Sequence, residues 1–371
     1  MMKQILCALL AGLLLCGCGA APAALRGSPA APTEAPPRAV GQEVPSPTPA
    51  AAPAGTAAPA ETPAPDGALF LTVSSLTFSL VGESEDVYCG TLPAEAVTWT
   101  SDDETVVSAE GGVLTAVGVG ETTVRAVCGA QRAQCAVGCL AADEAALAAL
   151  PEEVRRAPKR LPFLTDFDPV PYFADAVFVG DSISWVLFQH EMHNGLLGHP
   201  TSLAAGGTGI NGYLNRTKTV HFRGAEMALE DAVAACGKRK VFIMLGQNDL
   251  GWRSVEDTLA SYGELIAAIR GKAPEAEIHI QSCIPEWCAT GAPNERNEKI
   301  FALDALLPDF CAENGLHYME LGRYVEDHTG RMATCYTMDH GIHMNENGSL
   351  VWIQVLTAYA ALEAAGTEET T

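Results

Sequence analysis

The tightest constraint on this chain is the change of apolar period along its second half. Short apolar runs, Ala176-Val177-Phe178-Val179, Val241-Phe242-Ile243-Met244-Leu245, Glu277-Ile278-His279-Ile280-Gln281 and His317-Tyr318-Met319, alternate with longer stretches of helical period. Val255 to Lys272 is one such stretch, carrying Leu259, Leu265, Ile266 and Ile269, and Asn294 to Asn314 is another. Strands that alternate with helices pair in parallel, with helices covering both faces of the sheet. The expectation for residues 160–371 is therefore an α/β domain with a three-layer α/β/α parallel sheet. Any ligand then sits at the carboxyl ends of its strands.

Upstream the texture is different. Between residues 67 and 140 the apolar period drops to two, in Leu69-Phe70-Leu71-Thr72-Val73, Ala96-Val97-Thr98-Trp99, Val113-Leu114-Thr115-Ala116-Val117 and Thr122-Thr123-Val124-Arg125-Ala126-Val127, with Gly and Asp between the runs. Short strands at this spacing predict a small all-β sandwich. The run Trp99-Thr100-Ser101-Asp102-Asp103, followed by Gly111 to Thr122, resembles the bacterial immunoglobulin-like group 2 family. A connector over 141–159 carries Ala-rich helix formers from Asp143 to Arg156. No catalytic residue type clusters in the sandwich, so a catalytic unit beginning near Pro158 is expected to be autonomous.

The first residues read as an export signal. Met1-Met2-Lys3-Gln4 precedes an apolar run from Ile5 to Leu15, a length suited to a signal-peptide core and too short for a mature spanning helix. Leu15-Cys16-Gly17-Cys18 resembles the lipobox of bacterial lipoproteins, which makes 1–18 the signal and lipobox and Cys18 the acylated residue. A plain secretory signal is the alternative. Residues 19–66 are dominated by Ala and Pro and read as a linker, extended at ~3.1 Å per residue over a length on the order of 100 Å. The expected location is the extracellular face of the bacterial membrane, with the membrane as a partner through the lipid on Cys18.

A formal net charge of -23 sets the chain against nucleic acid, whose phosphates need clustered Lys and Arg. Of twelve cysteines, Cys7, Cys16 and Cys18 fall in the signal and lipobox, which leaves an odd number for the rest of the chain. Cys89, Trp99 and Cys128 follow the order of immunoglobulin domains. Connectivity is not readable from sequence, so a Cys89–Cys128 bridge and free buried thiols both stand. Cysteine and histidine spacings contain no metal-ligand register, and His340 with His343 lacks a third ligand; no metal and no cofactor are expected.

The chemistry is expected in the strand-end loops. Gly180-Asp181-Ser182 puts a serine at a helix entry, where unpaired N–H groups favour developing negative charge. Ala204-Ala205-Gly206-Gly207-Thr208-Gly209 offers backbone for close approach, and Gly246-Gln247-Asn248-Asp249 places an amide just past a strand. Asp339-His340-Gly341-Ile342-His343 precedes the last helix. In this order the blocks resemble those of the SGNH (GDSL-like) hydrolase superfamily, over residues 175 to 362. The resemblance implies a flavodoxin-like fold with Ser182 as nucleophile and His343 as general base. It also implies oxyanion donors at Ser182, at Gly206 or Gly207, and at Asn248. Asp181 and Asp249 read as structural.

One departure is visible. The family block has its aspartate three residues before the histidine, whereas Asp339 stands four before His343 and position 340 is His. Either Asp339 orients His343 through a longer loop, or the pair Ser182 and His343 works as a dyad. The expected function is an extracellular serine esterase that removes small acyl groups, O-acetyl foremost, from polysaccharide or cell-wall glycan. Acyl transfer by the same residues is the first alternative, and a non-catalytic surface adhesin the second. Trp252, Trp287 and Tyr336 are candidates to wall a carbohydrate site. Mass spectrometry of the mature N-terminus should show an acylated Cys18; an unmodified peptide beginning elsewhere in the Ala/Pro linker would sink that expectation.

Overall fold

In the computed structural model, which describes residues 67–368, the period-two segment forms two sheets around a shared core. The signal, Cys18 and the linker lie outside the described residues. The strands are β1 (Val73–Leu80), β2 (Ser84–Asp86), β3 (Thr98–Ser101), β4 (Val107–Glu110), β5 (Val113–Ala116), β6 (Gly120–Cys128) and β7 (Gln131–Ala141). One sheet runs β2-β5-β4, and the other contains β3-β6-β7-β1. Val124, Ala126 and Cys128 on β6 and Ala133, Cys135, Val137 and Cys139 on β7 point inward, the alternation that a half-buried sheet requires. The Leu69–Val73 run enters the core through Leu69 and Leu71, but only Val73 belongs to a strand.

The connector holds two short helices where the sequence suggested one. Asp143 caps α1 (Glu144–Ala148) by accepting the Ala146 N–H at 2.8 Å, and Pro151, which has no N–H to donate, separates it from α2 (Glu152–Arg155). The chain then adds β8 (Arg160–Pro162) antiparallel to β1. The boundary expected between 159 and 160 thus falls against a strand that belongs to the sandwich sheet.

Beyond it stands the parallel sheet. Its strands β9 (Ala176–Gly180), β10 (Thr201–Ser202), β13 (Lys240–Met244), β14 (Glu277–Gln281) and β15 (His317–Met319) are ordered β10-β9-β13-β14-β15, with every pairing parallel. A separate hairpin of β11 (Val220–Phe222) and β12 (Ala225–Met227) lies outside it. The helices are α3 (Val170–Phe173), α4 (Ser182–Asn194), α5 (Ile210–Leu214), α6 (Leu229–Cys236), α7 (Val255–Lys272), α8 (Glu295–Asn314), α9 (Gly322–Val325) and α10 (Glu346–Glu368). Two apolar cores flank the sheet: Phe178, Phe242 and Trp352 belong to one, and Val179, Ile243 and Leu265 to the other. Helix α10 is long and apolar enough to cross a membrane by length and composition, yet half of that window is buried, with Trp352, Leu356 and Ala360 inside the fold.

The two parts share polar contacts as well as the apolar cluster. Glu85 pairs with Arg160 at 3.0 Å and Arg323 at 2.6 Å, Ser79 Oγ bonds His328 Nδ1 at 2.9 Å, and Tyr324 Oη donates to the Thr72 carbonyl at 2.9 Å. Cys89 and Cys128 are both free thiols, so the bridge between them is not formed.

Arg156 changes the expectation of an autonomous unit from Pro158. Its Nε lies 2.5 Å from Asp327 Oδ2, with both side chains buried, and Nη1 and Nη2 donate to the carbonyls of Cys288 at 2.8 Å and Met332 at 3.2 Å. A buried carboxylate that loses its cation costs about 3–5 kcal/mol. A chain begun at Pro158 should therefore melt below one begun at Ala142, and Asp327→Asn should recover part of the difference in the shorter chain. Equal melting temperatures for the two chains would contradict this.

Candidate active site

The site begins where β9 stops. At Gly180 an added Cβ would lie 2.0 Å from Ser184 Oγ, so only glycine lets α4 start this close to the strand. Asp181 is extended (φ -100°, ψ -153°) and caps α4, its Oδ1 accepting the Ile183 N–H at 2.8 Å. Ser182 is the first residue of the helix, half-buried at the carboxyl edge of the sheet.

His343 arrives from the segment ahead of α10. Its Nε2 stands 3.0 Å from Ser182 Oγ, and its Nδ1 stands 2.6 Å from Asp339 Oδ2. The four-residue spacing closes because His340 takes a left-handed conformation (φ 52°), which lets the loop turn back so that the His343 N–H also reaches Asp339 Oδ1 at 3.3 Å. Between the alternatives left open by the sequence, the geometry puts Asp339 beside the imidazole. Burial pushes the Asp339 carboxyl up, but the hydrogen bonds from the His343 ring and N–H outweigh it and hold the group below the usual carboxylate value. The imidazole thus faces an ionised partner, and in one line lie a hydroxyl, a base and an anion, the arrangement that activates a serine for acyl chemistry.

Asn248 departs from its expected free-donor geometry. Its Nδ2 donates to Asp181 Oδ2 and to the Thr208 carbonyl, each at 2.9 Å, so both amide hydrogens have acceptors within the protein. Gly206 and Gly207 are exposed on the loop after β10, Gly207 with φ +63°, and an added Cβ at either would meet nothing within 4 Å. That loop is tied to the β9 end by the Ala205 N–H on the Gly180 carbonyl at 3.1 Å. Asp249 is buried and receives the N–H groups of Ile210 at 2.8 Å and Asn211 at 3.0 Å, capping α5, while Gly209 leaves room for its carboxylate.

The aromatic candidates separate. Tyr336 is buried, Trp287 is half-buried against the His340 ring at 4.6 Å, and Trp252 is 64% exposed. Trp185 was not singled out by the sequence reading. It is 49% exposed and one turn along α4 from Ser182, with Ile183, Ser184, Val186 and Leu187 all buried around it. The signal was available: a tryptophan three residues after a helix-entry serine shares that serine's face. Among the described residues no group of three or more His, Cys, Asp or Glu side chains is placed to hold a metal ion.

A parallel α/β sheet with a serine, histidine and aspartate aligned at its carboxyl edge defines the class: an SGNH-type serine esterase. Residues 178–350 match the model of the GDSL-like Lipase/Acylhydrolase family, and the chain carries a domain of that family there. No curated protein matches the sequence. Among solved structures, a GDSL-like lipase from Bacteroides thetaiotaomicron VPI-5482 is similar at 16% identity and a TM-score of 0.42, covering 53% of this chain and 92% of its own. A carbohydrate esterase family 3 from Talaromyces cellulolyticus is similar at 16% identity and a TM-score of 0.38, covering 52% and 98%.

Asp181 supplies a test of the site's electrostatics. Burial raises its carboxyl to about 6, against the opposing pull of the Ile183 N–H and of His343. Since the folded state then binds a proton more tightly than the unfolded one, this group lowers stability as pH rises from its unfolded value near 4 to about 6, by about 3 kcal/mol in all. Asp181→Asn keeps an acceptor for the Ile183 N–H and removes the titration. The stability of the variant relative to the parent should therefore improve between pH 4 and pH 7.5 in denaturant titrations; a difference independent of pH would show that Asp181 does not titrate in this way.

Proposed function

We propose that the protein is an extracellular esterase that hydrolyses small acyl esters, O-acetyl groups on polysaccharide or cell-wall glycan foremost, through an acyl-serine intermediate. The observation that carries this reading is the contact line from Ser182 Oγ through the His343 ring to Asp339, at 3.0 and 2.6 Å. In the first step Ser182 Oγ bonds to the ester carbonyl carbon while His343 Nε2 takes the serine proton. Negative charge then collects on the carbonyl oxygen. The N–H groups of Ser182 and of Gly206 or Gly207 are its donors, together with Asn248 once its amide exchanges the Thr208 carbonyl for substrate. Each such donor contributes on the order of 3 kcal/mol to the transition state.

Collapse of the intermediate expels the alcohol, which leaves with the proton held on His343. Water then attacks the acyl-serine as His343 removes its proton, and the carboxylic acid departs as Ser182 regains its hydrogen. The same residues serve acyl transfer if an alcohol replaces water. The side chains of His343 and Asp339, 26% and 39% exposed, favour hydrolysis, because solvent has access to the base. The aligned side chains are equally an argument against a purely adhesive role.

The location rests on the export signal and lipobox around Cys18, and the sandwich serves in this reading as an immunoglobulin-like spacer between that anchor and the enzyme. Trp185, one turn along α4 from Ser182, and Trp252, in the segment that follows Asn248, are exposed aromatic side chains of the kind on which a sugar ring packs.

Turnover of p-nitrophenyl acetate is the direct test. Ser182→Ala and His343→Ala should each lower kcat by on the order of 10⁴ or more, and Asp339→Asn by as much as ~10⁴, since it loses the group that fixes the imidazole tautomer. Full turnover in Ser182→Ala would remove the assignment. Acetate release from an acetylated polysaccharide should exceed cleavage of long-chain esters, and the opposite preference would replace the substrate class.

A further inference from the structure

We infer that Trp287 and Arg156 are positioning residues for the loop that carries Asp339 and His343, so that the connector ahead of the α/β domain sets the geometry of the reaction. The inference rests on the reading of Ser182, His343 and Asp339 given above. It goes beyond the family resemblance, because Arg156 lies outside the matched residues 178–350.

The loop itself is under tension. Thr337 and Met344 bridge at its base, with Met338 N–H on the His343 carbonyl at 2.9 Å, and Asn345 Nδ2 holds the Cys335 and Thr337 carbonyls. At its crest His340, a residue with a Cβ, occupies the left-handed region at φ 52°. Such a conformation is unfavourable for an L-residue and persists only where its surroundings impose it. Beside the backbone N–H bonds that Asp339 accepts, two contacts from Trp287 hold it: the His340 ring lies against the indole at 4.6 Å, and the Gly341 carbonyl accepts the Trp287 N–H at 2.8 Å. Two of the three residues between Asp339 and His343 are thus held by one tryptophan.

Trp287 is fixed in turn by Arg156. The guanidinium lies over the indole at 5.2 Å, and its Nη1 donates at 2.8 Å to the carbonyl of Cys288, the residue after the tryptophan. Its Nη2 reaches the Met332 carbonyl, and the Arg156 carbonyl accepts the Thr334 N–H at 3.2 Å. Thr334 Oγ1 completes the clamp by accepting the indole Nε1–H at 3.2 Å. Arg156 therefore grips both Cys288, next to Trp287, and the Met332–Thr334 segment that bonds the indole, and Asp327 neutralises it there. Among the described residues no hydrogen bond, ion pair or ring contact joins Trp287 or Arg156 to Ser182, so their effect on the reaction runs through the loop. A displacement of about 1 Å at a reacting group is enough to cost ~10²-fold in rate.

The experiment compares Trp287→Ala with Trp287→Phe in the full chain, with p-nitrophenyl acetate as substrate and Ser182→Ala as the control. Trp287→Ala removes the ring from His340 and from Arg156 while its backbone N–H remains. It should lower kcat by about tenfold or more with KM within twofold, and Trp287→Phe, which restores a ring face, should recover most of the loss. Arg156→Lys keeps a cation for Asp327 but loses the paired grip on Cys288 and Met332, and should fall between the two. The low-field proton resonance of the Asp339–His343 hydrogen bond reports on the same contact without turnover; it should broaden or vanish in Trp287→Ala and return in Trp287→Phe. A folded Trp287→Ala with parental kcat and an unchanged resonance overturns the inference. So does a rise in KM at parental kcat, which would make Trp287 a binding surface. Turnover that survives in Ser182→Ala is a different failure: it strikes the catalytic assignment, while the resonance still decides whether Trp287 holds the loop.

Discussion

One buried carboxylate holds the strand-end loops in register. Asp181 caps α4 and so presents Ser182; its second oxygen takes the Asn248 amide from the loop after β13, and that amide takes the Thr208 carbonyl from the loop after β10. Three strand-end loops are joined through one group. A carboxylate suits this task because it accepts several hydrogen bonds at once, and hydrogen bonds to an ion are stronger than those to a neutral acceptor. The cost is desolvation, visible as the raised Asp181 carboxyl, and it is tolerated where the gain is a defined arrangement of reacting groups.

The second constraint is the seam between the sandwich and the parallel sheet. Strand β8 extends the sandwich sheet, yet the residues just ahead of it, Arg155 to Lys159, bond to the segment from Glu326 to Thr334: Lys159 N–H to the Glu326 carbonyl at 3.0 Å, and His328 N–H to the Arg155 carbonyl at 3.1 Å. The same stretch therefore completes a sheet on one side and braces the approach to the catalytic loop on the other. The sandwich supplies none of the reacting groups, but through this seam it bears on the loop that positions two of them.

How much of this was legible beforehand follows from the range of each interaction. The strands β9, β13, β14 and β15 and the helices α7 and α8 stood out because their periods are written in consecutive residues, and the Ser182, Asn248 and His343 blocks because each sits just past such an element. Strand β7 was missed although Ala133, Cys135, Val137 and Cys139 alternate with polar neighbours, because small apolar side chains give a faint period. Strand β10 is two residues long and offers no period at all. The left-handed His340 had no glycine to announce it. The reach of Asp181 to Asn248 and of Arg156 to Asp327 is set by tertiary placement, which local sequence does not encode; for the same reason the helix formers of the connector gave no sign that it braces the segment from Glu326 to Thr334.

The seam also orders events in time. Thr72 and Ser79 near the start of the described chain meet Tyr324 and His328, contacts that span sequence separations of 252 and 249 residues. Contacts of such separation form only after a large loop has closed, and during synthesis only after nearly the whole chain has emerged. The sandwich and the first strands of the parallel sheet have their partners early, whereas the brace behind His343 must wait for the last part of the chain. Hydrolytic competence is thus a late property of this polypeptide: an incomplete or partly threaded chain holds the serine without the base in place, and reactivity arrives together with completion.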